Sequence, residues 1–394
     1  MTVSSYIYGQ YRGTLSELFP LALKVTLLTL ITLGLYRFWG KTRIRKYIWS
    51  STLGDGDAFE YTGTGLEKFL GFLVAVVVLA VYLGIVQMLL FFGGLNYGFD
   101  LATPEGALAL NGLIYVNFIA LAPLIFYATY RARRYKMART RWRGVRFGME
   151  KGAWGYALRA LGYTLLSVVT LGALVPLATF KLEEYMANRS YFGDARFEQH
   201  GRWTALYGAA KHIFFGLGLL IVGAGLGVAV DAVALAAVAA AVGYIWVAVG
   251  VVYYRVHAFR YLAAHRSLGG VIRFTAVPTT GEVVKIYIIG TLIVSLCLAV
   301  VLFIGTALFT TALGMAGSNE AGLAVVLVVV LYVAALALSG ALALVLITQP
   351  TIAHFITTFT VHNADALGDI RQRASETGVD AEGFADALDI GGAI

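Results

Sequence analysis

Six long apolar stretches constrain this 394-residue chain more than any other feature: 66–94, 109–130, 205–229, 232–254, 283–312 and 321–348. A helix needs about 20 apolar residues to traverse the hydrocarbon of a bilayer, and each stretch meets that length. Composition agrees, with 59% of residues apolar and only 13% charged, where a soluble domain carries about 25% charged residues. A soluble enzyme is excluded on that ground. The sequence describes a polytopic membrane protein.

The charges orient it. Residues 131–151 hold nine Lys/Arg and one acid, Glu150, and the segment 255–273 holds four Arg and no acid. The connectors between paired stretches carry Asp100, Glu105, Asp231 and Glu320 and no base. Basic loops stay on the cytoplasmic side, so the acidic connectors are read as external and the start of the chain as cytoplasmic, with no signal-peptide order over Met1–Gly13. The net charge of +8 sits beside apolar spans, which points to anionic headgroups and away from nucleic acid. The lone cysteine, Cys297, excludes an internal disulfide and a cysteine-rich metal site.

Two further apolar segments, 15–36 and 154–178, each contain a Thr-Leu-Gly break. They read as re-entrant or interfacial helices that return to their own side; full crossing, giving eight spans, is the alternative. An internal repeat bears on the choice. The segments 50–59, 138–147, 188–197 and 265–274, with a degenerate copy at 363–372, share a Thr or Ser (Thr52, Thr140, Ser190, Ser267) and a Phe seven residues on (Phe59, Phe147, Phe197, Phe274). A Gly falls three or four residues before each Phe. The unit reads as helix, Gly turn and short strand, and homologous units lie most simply on one side of the membrane. Thr14/Glu17, Thr64/Glu67 and Thr279/Glu282 have the spacing of a capping box at the helix that follows, in which each partner satisfies a backbone N–H of the other.

The expected fold is therefore an all-α polytopic membrane bundle built from internal repeats, with short cytoplasmic β-strands, six full spans and two re-entrant or interfacial segments. Its halves are 1–153 and 154–362, followed by an acidic tail, 363–394, with seven acids and two Arg.

Residues 27–72 carry three unrelated elements in order: Thr-Leu-Gly-x-Tyr-x-x-Trp, an Arg-x-Arg-Lys-Tyr helix, and a Phe-Glu-Tyr-x-Gly-x-Gly tract. In these the chain resembles the YjgN family of bacterial inner-membrane proteins. The second half resembles it through the repeat, without the tryptophan at 174–180 or the Glu-Tyr at 149–152. The resemblance implies a multi-span inner-membrane protein and carries no activity with it.

Candidate site residues fall in two groups. Arg37, Lys41 and Arg45 recur every four residues, one row on a helix face, and Arg131, Arg134, Arg139 and Arg141 belong to the densest basic cluster. These are candidates for binding anionic lipid or phosphate, and five of the six tryptophans lie in or beside the same loops, as at a membrane interface. Lys24, Glu282 and Lys285 lie in or beside apolar runs. A charge at mid-bilayer costs at least about 2.5–3.5 kcal/mol and usually marks a pathway, so these three are the transport candidates, with snorkelling as the bland explanation. His257/His265 and His354/His362 lack the further ligands of a zinc site. No hydrolase, metalloprotease or nucleotide-binding motif occurs, so neither enzyme activity nor a cofactor or metal is expected. Glycines such as those over 216–227 allow close helix contact within a chain or between copies, which leaves a homo-oligomer open. Two functional readings follow: a transporter or channel for a small solute or ion, by analogy with repeat-built transporters, and a non-transporting membrane organiser that binds anionic lipid or a partner protein through its cytoplasmic basic helices.

Overall fold

The computed structural model describes residues 5–93, 103–229, 233–314 and 321–373. The connectors around Asp100, Asp231 and Glu320, and the acidic tail beyond residue 373, lie outside the described residues. In chain order the elements are β1 (Tyr6–Tyr11), α1 (Leu15–Ile31), α2 (Arg37–Ser51), β2 (Thr52–Gly54), β3 (Asp57–Tyr61), α3 (Gly65–Phe92), α4 (Pro104–Ala138), β4 (Thr140–Trp142), β5 (Val145–Met149), α5 (Ala153–Val169) and α6 (Val175–Ala187). There follow β6 (Ser190–Phe192), β7 (Ala195–Gln199), α7 (Tyr207–Ala229), α8 (Val233–Ala264), β8 (Arg266–Leu268), β9 (Ile272–Ala276), α9 (Thr280–Gly314), α10 (Ala321–Ala343), α11 (Gln349–Thr357) and β10 (Phe359–His362). A π-helical turn, Leu344–Thr348, joins α10 to α11.

The expectation of an all-α fold is corrected by these ten strands, which follow one another in the hydrogen-bonding order of a closed antiparallel barrel. They escape a composition argument because each is only three to six residues long and is set between long apolar helices. Two compact units divide the described chain: 1–61 with 205–266 and 271–368, and 62–204 with 267–270 and 369 onward. In the first, β1 lies between β2 and β10, with Gln10 opposite Leu53 and Tyr8 opposite Thr360, and β9 flanks β10 with Ala276 opposite Phe359. In the second, β4 to β7 pair in sequence, with Phe147 opposite Phe192.

Each repeat is a helix that runs directly into a β-hairpin. The junction has a common chemistry: the hydroxyls of Thr52, Thr140 and Ser190 donate to the carbonyls of Ile48, Lys136 and Met186, four residues back, at 2.8–2.9 Å. A free last-turn carbonyl is thereby satisfied as the strand begins. The first two hairpin turns use two left-handed residues, Asp55-Gly56 and Arg143-Gly144, as a two-residue type I′ turn requires, and Gly193, Gly269 and Gly270 are left-handed in the turns of the next two. The repeated phenylalanines sit at the centres of β3, β5, β7 and β9.

The fifth repeat differs from the sequence reading. The ladder places Phe359, opposite Ala276, where Thr52 stands opposite Tyr11 and Ser190 opposite Met149, so the copy starts six residues before 363. Its long strand is β1, from the other end of the chain, with Tyr6 opposite His362. Asn363, in the left-handed region at φ 56°, occupies the position where the other hairpins turn. The backbone N–H of Ala364 donates to the carbonyl of Ser5 at 3.1 Å. Two distant segments thus compose one hairpin.

Six helical segments are long and apolar enough to cross a membrane: Gly65–Phe92, Pro104–Ala138, Trp203–Gly227, Val233–Ala264, Thr280–Thr311 and Val325–Thr357. Only 6–22% of their most apolar windows is buried in protein, which leaves broad apolar surfaces for lipid. Within the second unit, Tyr82 donates to the Ala120 carbonyl and Gln87 to Asn117, both at 2.6 Å, tying α3 to α4 with the interhelical polar contacts that hydrocarbon favours. In the first unit α7 and α8 approach through Gly216, Gly243 and Gly250, where a Cβ would meet the facing helix.

The helices α1 and α5 have 17 residues each and turn back into α2 and α6. Both turns have one design. Leu33 and Gly34 take φ of 49° and 93°, and Leu171 and Gly172 take 51° and 88°. The Thr32 hydroxyl donates to the Leu28 carbonyl and accepts from the Tyr36 N–H, while Thr170 bridges Leu166 and Leu174 in the same way. A leucine in the left-handed region costs roughly 1–2 kcal/mol.

Candidate membrane-surface site

The helix α2 has two faces of different kinds. Phe38, Thr42, Arg45 and Ile48 are buried, at the spacing of one helical stripe. On the opposite side Trp39, Arg43, Lys46 and Ser50 are exposed, again with successive steps of three or four. The sequence row Arg37, Lys41, Arg45 therefore cuts across the helix. Arg37 is exposed and Lys41 half-buried, while Arg45 is 5% exposed, donates to the Tyr61 hydroxyl at 3.0 Å and lies 5.2 Å from that ring. Arg45 is held inside because its planar cation finds both a hydroxyl and an aromatic face there. Arg43 and Lys46, passed over in the sequence reading, are found by counting from Trp39 in steps of four and three.

The second basic cluster is largely used up by the fold. Arg131 donates to the Tyr127 hydroxyl at 3.1 Å, and Arg133 makes a two-pronged ion pair with Glu183 at 2.7 and 2.8 Å. Arg134, 2% exposed, donates through Nε to the Met149 carbonyl at 2.7 Å, fastening the end of α4 to the hairpin that follows it. Arg139 pairs with Glu67 at 3.2 Å, and Tyr135 donates to the same carboxylate oxygen at 2.9 Å. Arg141 stands on β4 directly opposite Arg146 of β5. Lys68, at the start of α3, is also buried.

The capping residues diverge. Thr64 accepts from the Glu67 N–H at 3.3 Å. Thr14 makes no such bond; its N–H donates to the Tyr47 hydroxyl, which in turn donates to Glu17 Oε2 at 2.9 Å. Thr279 precedes α9 and accepts at its carbonyl from the Val283 N–H. Burial, together with the Glu17 carboxylate, raises the Tyr47 pKa, and burial raises that of Tyr11 to about 12, aided by Tyr47. Both phenols stay protonated beside β1 throughout the physiological range.

Among the transport candidates, Lys24 is exposed on α1. Glu282 and Lys285 form an exposed pair one turn apart, 3.7 Å between charged atoms, and line an open groove of about 230 Å³ together with Ile286, Ile289, Gly290 and Leu346. The structure does not bring Lys24 together with that pair. Among the described residues no group of three or more His, Cys, Asp or Glu is placed to hold a metal ion.

Six apolar helices define a multi-pass membrane protein. The chain belongs to a bacterial protein family of unknown function, DUF898, whose model matches residues 8–298. No curated protein and no solved structure matches it.

Proposed function

We propose that the protein is a non-transporting organiser of the bacterial inner membrane, with its strands and first residues on the cytoplasmic side, where it gathers anionic lipid. The single observation that carries this reading is the outward face of α2, a tryptophan followed at helical steps by Arg43 and Lys46. Tryptophan settles at the headgroup level, and each exposed base near an anionic surface contributes about 1 kcal/mol. The YjgN-like stretch, residues 27–72, contains this face. A transporter would draw on Lys24, Glu282 and Lys285, of which Glu282 and Lys285 line the open groove on α9.

The test is lipid selectivity. Purified protein in mixed vesicles is expected to associate with spin-labelled phosphatidylglycerol severalfold more strongly than with spin-labelled phosphatidylcholine, less so at high salt. Arg43→Gln with Lys46→Gln should remove most of the preference. Equal association of both lipids with the unaltered protein, or a preference untouched by the double substitution, would contradict the proposal.

A further inference from the structure

We propose that Leu33 and Leu171 are lipid wedges: each tips a helical hairpin whose end is sunk into one leaflet of the bilayer. Both leucines are held in the left-handed region by the same threonine-bridged turn. A glycine or asparagine would sit there more easily, so the side chain has to be needed for something outside the turn. Yet within the protein it does almost nothing, being 95% exposed at Leu33 and 85% at Leu171. Its neighbours Ile31 and Leu35, or Val168 and Val169, are exposed as well. Two separate turns have thus placed a strained, unpacked leucine at the centre of an apolar tip.

The charges beside each tip identify the surface that covers it. No charged residue occurs from 25 to 36 or from 160 to 180. On the first hairpin Lys24 lies nine residues before Leu33 and Arg43 ten after; on the second Arg159 lies twelve before Leu171 and Lys181 ten after. At about 1.5 Å per helical residue the helical steps alone lift these cations roughly 9–15 Å from the turns, within reach of the half-thickness of about 15 Å of a bilayer's hydrocarbon. Trp39, six residues beyond Leu33, falls between tip and cations, at the interfacial level. Arg37 is nearer the tip, and its stem is long enough to reach upward. Lys24 is thereby accounted for as a headgroup contact. A charge-free tip followed by cations on both arms of both hairpins matches the order of a bilayer, hydrocarbon first and anionic headgroups next.

For the first hairpin the inference deepens the lipid-organiser proposal; the second carries it independently. Nitroxide labels at Leu33→Cys or Leu171→Cys, each with Cys297→Ser, are expected to be accessible to oxygen and shielded from a water-soluble nickel chelate in vesicles. Labels at Arg43→Cys and Lys181→Cys should be reached by the chelate. Chelate access at the tips equal to that at Arg43, or modification of the tip cysteines by an impermeant thiol reagent from the side opposite the strands, would overturn the inference. Leu33→Asn suits the backbone, so the fold should persist while a label at Ile31→Cys moves toward water. An unmoved label would show that the leucine does not drive insertion. Because insertion is read with neutral as well as anionic vesicles, loss of lipid selectivity alone leaves this result standing.

Discussion

Removing residues 1–13 is expected to cost the protein more stability than any point substitution. That deletion takes away β1, which holds ladders to both β2 and β10 and buries Ile7. Two strands would be left with unpaired backbone groups, each buried orphan costing about 1–3 kcal/mol. The combined loss, roughly 5 kcal/mol or more, belongs to the exceptional range for a local change. We expect either no folded protein or a midpoint of thermal unfolding in detergent lower by at least about 10 °C, on the scale of about 2–4 °C per kcal/mol. A rearranged chain that starts at Thr14 and carries residues 5–13 after Asn363, joined by a short glycine-containing turn, should recover most of it, because the strand would then enter the fifth hairpin as its counterparts enter theirs. An unchanged midpoint in the deletion would show that β1 is not part of the folded sheet.

The second large effect separates structural bases from surface ones. Arg45→Ala and Arg134→Ala should each destabilise by about 2–4 kcal/mol, since each loses a charge-assisted hydrogen bond of about 1.5–3 kcal/mol and the packing of a buried side chain. For Arg134 the group that loses its donor is the Met149 carbonyl; for Arg45 the Tyr61 hydroxyl loses this one contact. Arg43→Ala, on the exposed face of the same helix as Arg45, should stay within about 0.5 kcal/mol and show itself only in lipid preference. Thermal unfolding followed by tryptophan fluorescence would distinguish them. Equal, small effects at Arg45 and Arg43 would contradict the division of α2 into a buried and an outward face.

Local demands are written in the sequence of this molecule more plainly than long-range ones. The spans are legible because twenty apolar residues in a row have few other uses, and the repeat is legible because its glycine and phenylalanine answer to local demands: a left-handed turn and a strand centre. Strand pairing is set at long range. Nothing near Tyr6 indicates His362 as its partner, and a hairpin composed from two ends of a chain has no contiguous signature. For the same reason the copy sought at 363–372 was displaced from the strand at Phe359–His362. Within the candidate site, the four-residue spacing of Arg37, Lys41 and Arg45 is real, but spacing alone cannot say which way a row faces. Phe38 and Ile48 fix that by turning inward, and they carry Arg45 with them. Arg131, Arg134 and Arg139 read as one basic cluster in sequence, where their partners Tyr127, Met149 and Glu67 do not announce themselves; Glu67 reads as a cap and serves as an ion-pair partner too.

Five helix–hairpin repeats, the last assembled from the first and last described strands, form the framework on which the outward face of α2 and the leucine tips are carried. The most direct test is a disulfide between β1 and β10. With Cys297→Ser, the pair Tyr8→Cys and Thr360→Cys, which stand opposite each other in the ladder, should cross-link under mild oxidation in native membranes, and the band should persist at high dilution as an intramolecular product. Tyr8→Cys paired with a cysteine at Asp57, on β3, should not. Failure of the first pair to cross-link while the second does would contradict the ladder and, with it, the composite fifth repeat.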